Sequence, residues 1–148
     1  MPNLLECEYL SKVDVSFNKI VTLSEQDVMG LDTLNICNLS KNYLEQIPPG
    51  LFSLPKLREL NLASNKLKTL GDIQILWPSL LNINLSDNQL DEMPLCLLKT
   101  PESENSHIIS IDISSNQIQE LPVELVKLKN LKVFKCARNN LKKVTGEL

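Results

Sequence analysis

The residues able to do covalent or metal chemistry are few in this 148-residue chain, and they are scattered. There is one histidine, His107, and the four cysteines occur singly at Cys7, Cys37, Cys96 and Cys136. None stands in a CxxC or another metal-ligand spacing, so no metal site is predicted. A nucleophile–base pair of Cys96 and His107 is conceivable because both lie in one segment. An exposed cysteine without a group that orients its base is ordinarily inert, however.

Motifs for cofactor chemistry are also missing from the sequence. Its four glycines are Gly30, Gly50, Gly71 and Gly146, and they form neither a GxGxxG nor a GxxxxGK phosphate cradle. No second histidine is present to complete a catalytic triad. We therefore predict that the chain is not an enzyme and takes no cofactor.

Charge and composition restrict the classes of partner. Hydrophobic residues make up 43% of the chain, which favours a folded domain, and the net charge is −3. Such a balance provides no basic field for nucleic acid or anionic lipid. No run approaches the roughly 18 apolar residues of a membrane helix, and the first ten residues lack the pattern of a signal peptide. We expect a cytoplasmic protein with free thiols that binds neither nucleic acid nor membrane.

Six asparagines mark an internal repeat. They are Asn18, Asn42, Asn65, Asn88, Asn116 and Asn139. Successive separations are 24, 23, 23, 28 and 23 residues, and each asparagine stands in the frame L-x-x-L-x-L-x-x-N-x-L-x-x-L. The third repeat fills this frame with Leu57, Leu60, Leu62, Leu67 and Leu70. Its L-x-L portion alternates with a period of two, which predicts a short strand with one buried face.

Repeats of this kind must be stacked, because one short strand cannot bury its apolar face alone. A crossover of about 23 residues between strands indicates that neighbours run parallel. The predicted fold class is α/β: a curved solenoid with a parallel β-sheet on the concave face and short helical or irregular return segments on the convex face. The asparagine amides are expected to satisfy backbone groups left unpaired at each turn, which is a structural role.

The frame resembles the leucine-rich-repeat superfamily over nearly the whole chain, and the resemblance implies the same horseshoe. Three repeats carry a proline after the last apolar position, at Pro48, Pro94 and Pro122, as in the intracellular 23-residue Ras-suppressor-like class. Ser24 and Gly71 stand there in the first and third repeats. The Asn-Leu-Ser and Leu-Pro steps also resemble the repeat segment of Roco proteins, the leucine-rich-repeat kinase family. No GTPase or kinase motif accompanies them.

The return segments lead to several local expectations. Cys37 and Cys136 occupy core positions of the frame, whereas Cys96 and Cys7 are expected to be the accessible thiols. Residues 123–128 are expected to form a helical turn, and residues 73–78 to be less regular. The long fourth step places five extra residues in segment 99–107, predicted to be a surface loop. That loop is either a tolerated insertion, which we favour, or a contact or modification site.

Three columns of side chains face outward on the predicted concave side. The middle column contains Asp14, Asn38, Asn61, Asn84, Asp112 and Lys135. The column before it contains Lys12, Ile36, Glu59, Asn82, Ser110 and Val133. The column before the asparagines contains Phe17, Lys41, Ser64, Asp87, Ser115 and Arg138. A polar sheet face is by default a solvated one. The curvature of a solenoid nevertheless makes this face the best candidate for a binding surface.

We therefore predict a protein–protein interaction module, a scaffold or adaptor, that binds a protein partner through the concave face. The alternative is a regulatory segment of a larger signalling enzyme, such as a Roco GTPase or kinase. The predicted contact residues are Lys12, Asp14, Phe17, Asn38, Lys41, Glu59, Asn61, Asn82, Asn84, Asp87, Asp112, Lys135 and Arg138. Four of them cluster toward one end and are hypothesised to contact a partner directly: Asp87, Asp112, Lys135 and Arg138.

Neither end of the sequence shows the polar cap that terminal repeats need. We accordingly interpret residues 1–148 as a single leucine-rich-repeat domain of six repeats that is a fragment of a longer protein. An exposed parallel-sheet edge also favours self-association through an uncapped end.

Overall fold

The six L-x-L segments form six short strands in one sheet. The computed structural model of the chain describes residues 7–71, 78–98 and 107–143. The strands are β1 Lys12–Asp14, β2 Ile36–Asn38, β3 Glu59–Asn61, β4 Asn82–Asn84, β5 Ser110–Asp112 and β6 Val133–Lys135. They are hydrogen-bonded in the order β1-β2-β3-β4-β5-β6, and every neighbouring pair is parallel. The predicted solenoid with a parallel sheet is confirmed.

Equivalent positions of the repeats lie side by side across the sheet. Lys12 is paired with Ile36 and Asp14 with Asn38, and the same register continues to the last strand pair. The middle residue of each strand therefore stacks on its counterparts beneath the sheet. The first and third residues of each strand face outward, so two of the three predicted columns lie along the sheet as expected.

Short helices begin where the sequence places serine or proline after the frame. Helix α1 is Glu25–Val28 and α2 is Pro49–Phe52, and 3₁₀ helices cover Leu95–Leu97 and Val123–Lys127. The last three begin directly after Pro48, Pro94 or Pro122, whose backbones are extended. The helical turn expected in 123–128 is confirmed. Segment 73–78 apart from its last residue, and loop 99–107 apart from His107, lie outside the described residues.

The start of α1 is closed by a reciprocal pair of hydrogen bonds. The backbone N–H of Asp27 donates to the Ser24 hydroxyl at 3.3 Å, and the backbone N–H of Ser24 donates to the Asp27 carboxylate at 2.8 Å. This arrangement is a capping box, which satisfies two donors that a helix start leaves unpaired. The next return segment is tied to the first, because the N–H of Gly50 donates to both carboxylate oxygens of Glu25 at 3.0 and 3.1 Å.

One continuous hydrophobic core runs beneath the sheet from Val28 to Leu128. Frame leucines such as Leu44, Leu62 and Leu85 are completely buried, and each such side chain contributes about 1.5–3 kcal/mol of transfer free energy. The frame side chains of the first and last repeats are only partly buried. The core is therefore most closely packed in the middle repeats.

The frame asparagines form a ladder of buried amides between the repeats. The Asn65 side-chain oxygen accepts the N–H of Leu44 at 3.0 Å. Its Nδ2 donates to the carbonyl oxygens of Leu39, Leu62 and Ala63 at 3.1–3.3 Å. The same pattern recurs at Asn42, Asn88, Asn116 and Asn139. The predicted structural role of these amides is confirmed.

Asn18 departs from this ladder. It is exposed, and among the described residues its amide donates only to carbonyl oxygens of its own turn, those of Val15 and Ser16. Asn18 therefore keeps the hydrogen bonds within its own turn. Among the described residues, no hydrogen bond joins its side chain to a second repeat.

The cysteines agree with the sequence prediction at three of four positions. Cys37 is buried, Cys136 is partly buried and Cys7 is exposed. Burial raises the pKa of the Cys37 thiol to about 12. The prediction for Cys96 was wrong: its side chain is only 5% exposed. The 3₁₀ helix at Leu95–Leu97 places Leu95 at the surface and turns Cys96 toward the core. A return segment can therefore contain buried as well as exposed side chains.

Candidate protein-binding groove

A shallow groove runs across the outward face of the sheet and touches all six strands. Its volume is about 330 Å³. Predicted contact residues that line it are Lys12, Asp14, Asn38, Glu59, Asn61, Asn82, Asn84, Asp112 and Lys135. The lining also includes Ile36, Ser110 and parts of the core residues Cys37, Leu60 and Ile83. The structure thus brings most of the predicted contact residues together on one surface.

Four predicted contact residues are not among those that line the groove: Phe17, Lys41, Asp87 and Arg138. Together with Ser64 and Ser115 they form the column before the frame asparagines, and all six have φ between 54° and 57°. This left-handed conformation turns the chain out of the sheet. The column therefore follows the turns at the end of the strands. Its mixed residue types, none of them glycine or asparagine, gave no sign of this geometry in the sequence.

The middle column of the groove has a structural task that the sequence reasoning missed. In the first five repeats the Oδ1 atom of the last strand residue accepts the N–H of the residue two positions later, at 2.9–3.1 Å. These acceptors are Asp14, Asn38, Asn61, Asn84 and Asp112. Such Asx turns end the first five strands. The signal was present in the sequence as Asp or Asn followed two residues later by Ser or Ala.

The turn fixes the orientation of the amides that remain in the groove. The Oδ1 atoms of Asn61 and Asn84 are held by the backbone N–H groups of Ala63 and Ser86. Each Nδ2 group is consequently directed away from the turn, because the two ends of an amide cannot exchange without losing that bond. Within the part of the chain that the structure describes, these two Nδ2 groups and the side chain of Asn82 make no hydrogen bond to another protein group. Asn61 and Asn84 occupy paired positions on neighbouring strands, which are about 4.8 Å apart, and Asn82 lies on the same strand as Asn84. The three amides therefore form a closely spaced group.

Charged side chains are distributed along the groove. Lys12 lies at the first strand and Lys135 at the last, while Glu59 and Asp112 lie between them. At the first strand, the Ser16 hydroxyl and backbone N–H donate to Asp14 at 2.6 and 3.0 Å and hold the pKa of its carboxyl below the usual value. The groove therefore offers amide groups flanked by charges of both signs.

Within the described ranges there is no group of three His, Cys, Asp or Glu residues placed to hold a metal ion. The same ranges contain no helix with the length and apolar character needed to cross a membrane. His107 is exposed whereas Cys96 is buried, so Cys96 is not presented as an accessible nucleophile. The groove provides hydrogen-bonding groups, charges and a few apolar edges with which it can contact another molecule.

This fold, six parallel strands joined by short return segments and an asparagine ladder, is that of leucine-rich-repeat proteins. Residues 8–67 match the family model described as leucine rich repeat. No curated protein matches the chain in sequence.

Solved structures of leucine-rich-repeat proteins match almost the entire chain. A leucine-rich-repeat protein of Leptospira interrogans is 26% identical with a TM-score of 0.71, over 97% of this chain and 41% of that one. The leucine-rich-repeat domain of a Shigella effector is 24% identical with a TM-score of 0.72, over 97% and 57%. A chain of the Drosophila Toll–Spatzle complex is 27% identical with a TM-score of 0.77, over 92% and 18%. The chain thus spans less than two thirds of each of these relatives.

Proposed function

We propose that this chain is a protein–protein interaction module, a scaffold or adaptor, that binds a protein partner in the concave groove. The observation that carries the proposal is the group of Asn61, Asn82 and Asn84 amides in the middle of the groove. Two of these amides are held in one orientation by their own turns. Their orientation is set before any partner arrives, which reduces the entropy lost on binding.

A polypeptide is the partner that this group suits best. Amide donors held in one orientation can bind the carbonyl oxygens and side-chain acceptors of a polypeptide laid across the strands. Lys12, Glu59, Asp112 and Lys135 supply complementary charge, which increases the rate of encounter and restricts the choice of partner. The leucine-rich-repeat fold is generally a protein-binding one, and the Toll–Spatzle structure is itself a complex of such a protein with another. Both facts support the proposal.

One double variant that blocks the groove, compared with a matched control, tests the proposal. The double variant Glu59→Arg, Asn82→Arg introduces long side chains at two groove positions that cap no turn. Its matched control is Glu120→Arg, Gln46→Arg, which makes the same kind of change at exposed positions outside the groove. A photo-crosslinking amino acid at position 82 captures the partner for identification, and the same group at position 46 serves as its control.

The proposal expects crosslinking from position 82 to a protein that position 46 does not capture. Binding of that protein should weaken at least tenfold in the groove variant and change less than twofold in the control. Equal capture from both positions, or equal affinity of the two double variants, would overturn it. Unfolding temperatures of both variants must be unchanged for the comparison to count.

The chain is proposed to work without catalysis and in the cytoplasm. The four cysteines are free thiols, and stable disulfides belong to oxidising compartments. Fractionation of cells that express the protein, with thiol labelling before lysis, tests both the location and the redox state.

A second candidate function is that of a regulatory segment in a larger signalling enzyme of the Roco type. It is supported by the 23-residue spacing and the Leu-Pro steps at Pro48, Pro94 and Pro122. Reading the coding sequence on both sides of this segment tests it, since a GTPase or kinase motif in the same frame is required.

A further inference from the structure

Outside the groove, the turns of the first three repeats carry aromatic and basic side chains together. We call this surface the turn-side patch and define it by Phe17, Lys19, Lys41, Tyr43, Lys66 and Lys68. The four lysines are exposed. Phe17 is 73% exposed and Tyr43 is 46% exposed, in a chain whose aromatic content is only 4%. Aromatic side chains are enriched among the residues that contribute most to protein–protein interfaces.

The patch is ordered by contacts between successive repeats. The Lys41 ammonium lies 4.3 Å from the centre of the Phe17 ring, and that of Lys66 lies 5.0 Å from the centre of the Tyr43 ring. The backbone N–H of Tyr43 donates to the carbonyl oxygen of Ile20, the residue after Lys19, at 2.8 Å. The backbone N–H of Lys66 donates to the carbonyl oxygen of Leu44, the residue after Tyr43, at 2.9 Å. These bonds keep the rings and the ammonium groups next to one another.

The fold does not require an aromatic residue at position 17. Ser64 and Ser115 occupy the equivalent positions of the third and fifth repeats with the same φ of 57°. Phe17 has a φ of 56°, a conformation that is costly for a bulky side chain, and its ring is mostly in water. Neither the turn nor the core requires the ring, and it is exposed enough to contact another molecule.

Charge limits the size and kind of that molecule. In the turn segments of these three repeats, residues 16–23, 40–47 and 63–70, the four lysines are accompanied by one exposed carboxylate, that of Glu45. In the fourth repeat the corresponding turn carries Asp87 and Asp91, both exposed. A long polyanion such as a nucleic acid strand would meet these carboxylates as it continued along the turns. The basic surface is therefore short: three strands cover about 10 Å, which an extended peptide spans in about four residues.

We propose that the turn-side patch binds a short acidic peptide segment of a partner protein. Carboxylates of the segment pair with Lys19, Lys41, Lys66 and Lys68, and one apolar side chain packs on the rings of Phe17 and Tyr43. This surface is separate from the groove, so a partner can bind at either one alone or extend across both.

A peptide selection with the full chain tests the proposal. A random library of displayed 12-residue peptides is selected on the chain after depletion on the variant Lys41→Glu, Lys66→Glu. Selected peptides should contain at least three acidic residues and one large apolar residue within six positions. Their affinity should fall at least tenfold in Lys41→Glu, Lys66→Glu and about fivefold in Phe17→Ser, which introduces the residue that two other repeats already carry. The groove variant Glu59→Arg, Asn82→Arg should bind them within twofold of the original chain.

Three results would overturn the proposal. The first is a selection without acidic enrichment. The second is that the affinity of the selected peptides is unchanged in the patch variants and reduced in the groove variant, which would identify the groove as their binding site. The third comes from two further probes, a 20-nucleotide oligouridylate and phosphatidylserine vesicles at 150 mM salt. Binding of either that is lost in Lys41→Glu, Lys66→Glu would assign the patch to a nucleic acid or a membrane. Failure of the groove variants alone leaves the patch proposal standing.

Discussion

The side-chain oxygen of Asn65 accepts the backbone N–H of Leu44 at 3.0 Å, across 21 residues of sequence. The same side chain donates to carbonyl oxygens of its own repeat and of the preceding one. A single amide therefore satisfies the backbone of two repeats at the place where both leave the sheet. Each repeat is in this way held in register by its neighbour, which explains why the frame asparagine is kept while the leucines around it vary to isoleucine, valine or cysteine.

Removal of a buried frame amide should be among the most damaging polar substitutions. Asn65→Ala leaves the Leu44 N–H and several carbonyl oxygens without partners in a buried site, so we expect a loss of about 3 kcal/mol of unfolding free energy. Asn18→Ala is the matched control, since Asn18 is exposed and bonds only within its own turn among the described residues. We expect it to cost less than about 1 kcal/mol. Urea denaturation measures both, and equal losses would contradict the ladder's role.

The left-handed turn positions should discriminate between side chains by shape. Ser64 has a φ of 57°, so a β-branched residue there is strained and glycine is not. We expect Ser64→Val to be about 1–2 kcal/mol less stable than Ser64→Gly. Both variants lose the hydroxyl bond to Asp87, which makes the comparison a matched one. Thermal denaturation that found the two variants equal would show that the turn relaxes in solution.

The capping box of α1 should make part of the stability depend on pH. Hydrogen bonds from the Ser24 backbone and hydroxyl lower the pKa of Asp27 below its ordinary value of 3.8. A lowered folded-state pKa stabilises the protein above the ordinary value, and this stabilisation is lost as the pH falls through the folded-state value. Because water screens this largely exposed carboxylate, Asp27→Asn should cost only about 0.5 kcal/mol at pH 7 and progressively less below pH 4. If the difference in unfolding free energy between the original chain and Asp27→Asn stayed constant from pH 7 to pH 3, the prediction would be wrong.

The cysteines should react in an order set by burial. We expect Cys7 to react with a thiol reagent at the rate of a free thiol, Cys136 more slowly, and Cys37 and Cys96 only on unfolding. Mass spectrometry of peptides after timed labelling resolves the four sites. Labelling in denaturant, where all four must react, is the control. Rapid native labelling of Cys96 would restore the sequence-based expectation that the structure contradicts.

The repeat frame was sufficient to predict the sheet, the strand positions and the register, because its period of two and its 23-residue step leave few alternatives. The details that escaped prediction depend on backbone torsion. Phe17, Lys41 and Arg138 were assigned to the concave face by spacing alone, and only their positive φ shows that the chain has turned there. Cys96 was misplaced because the inward direction of a 3₁₀ turn depends on where that turn begins. The role of Asn61 in its own turn was readable from the sequence and was overlooked.

The ladder has a consequence for how this protein can change in length. Each of the second to fifth repeats contributes one strand, one Asx turn and two or three groove residues, and the bonds of its frame asparagine reach only the adjacent repeat. Excision of residues 43–65 would join Asn42 directly to Lys66 and leave the frame intact on both sides. The groove would shorten by about 4.8 Å without any other contact being redesigned. Gain or loss of whole repeats can thus adjust the length of polypeptide that such a surface accommodates, independently of the chemistry at each position.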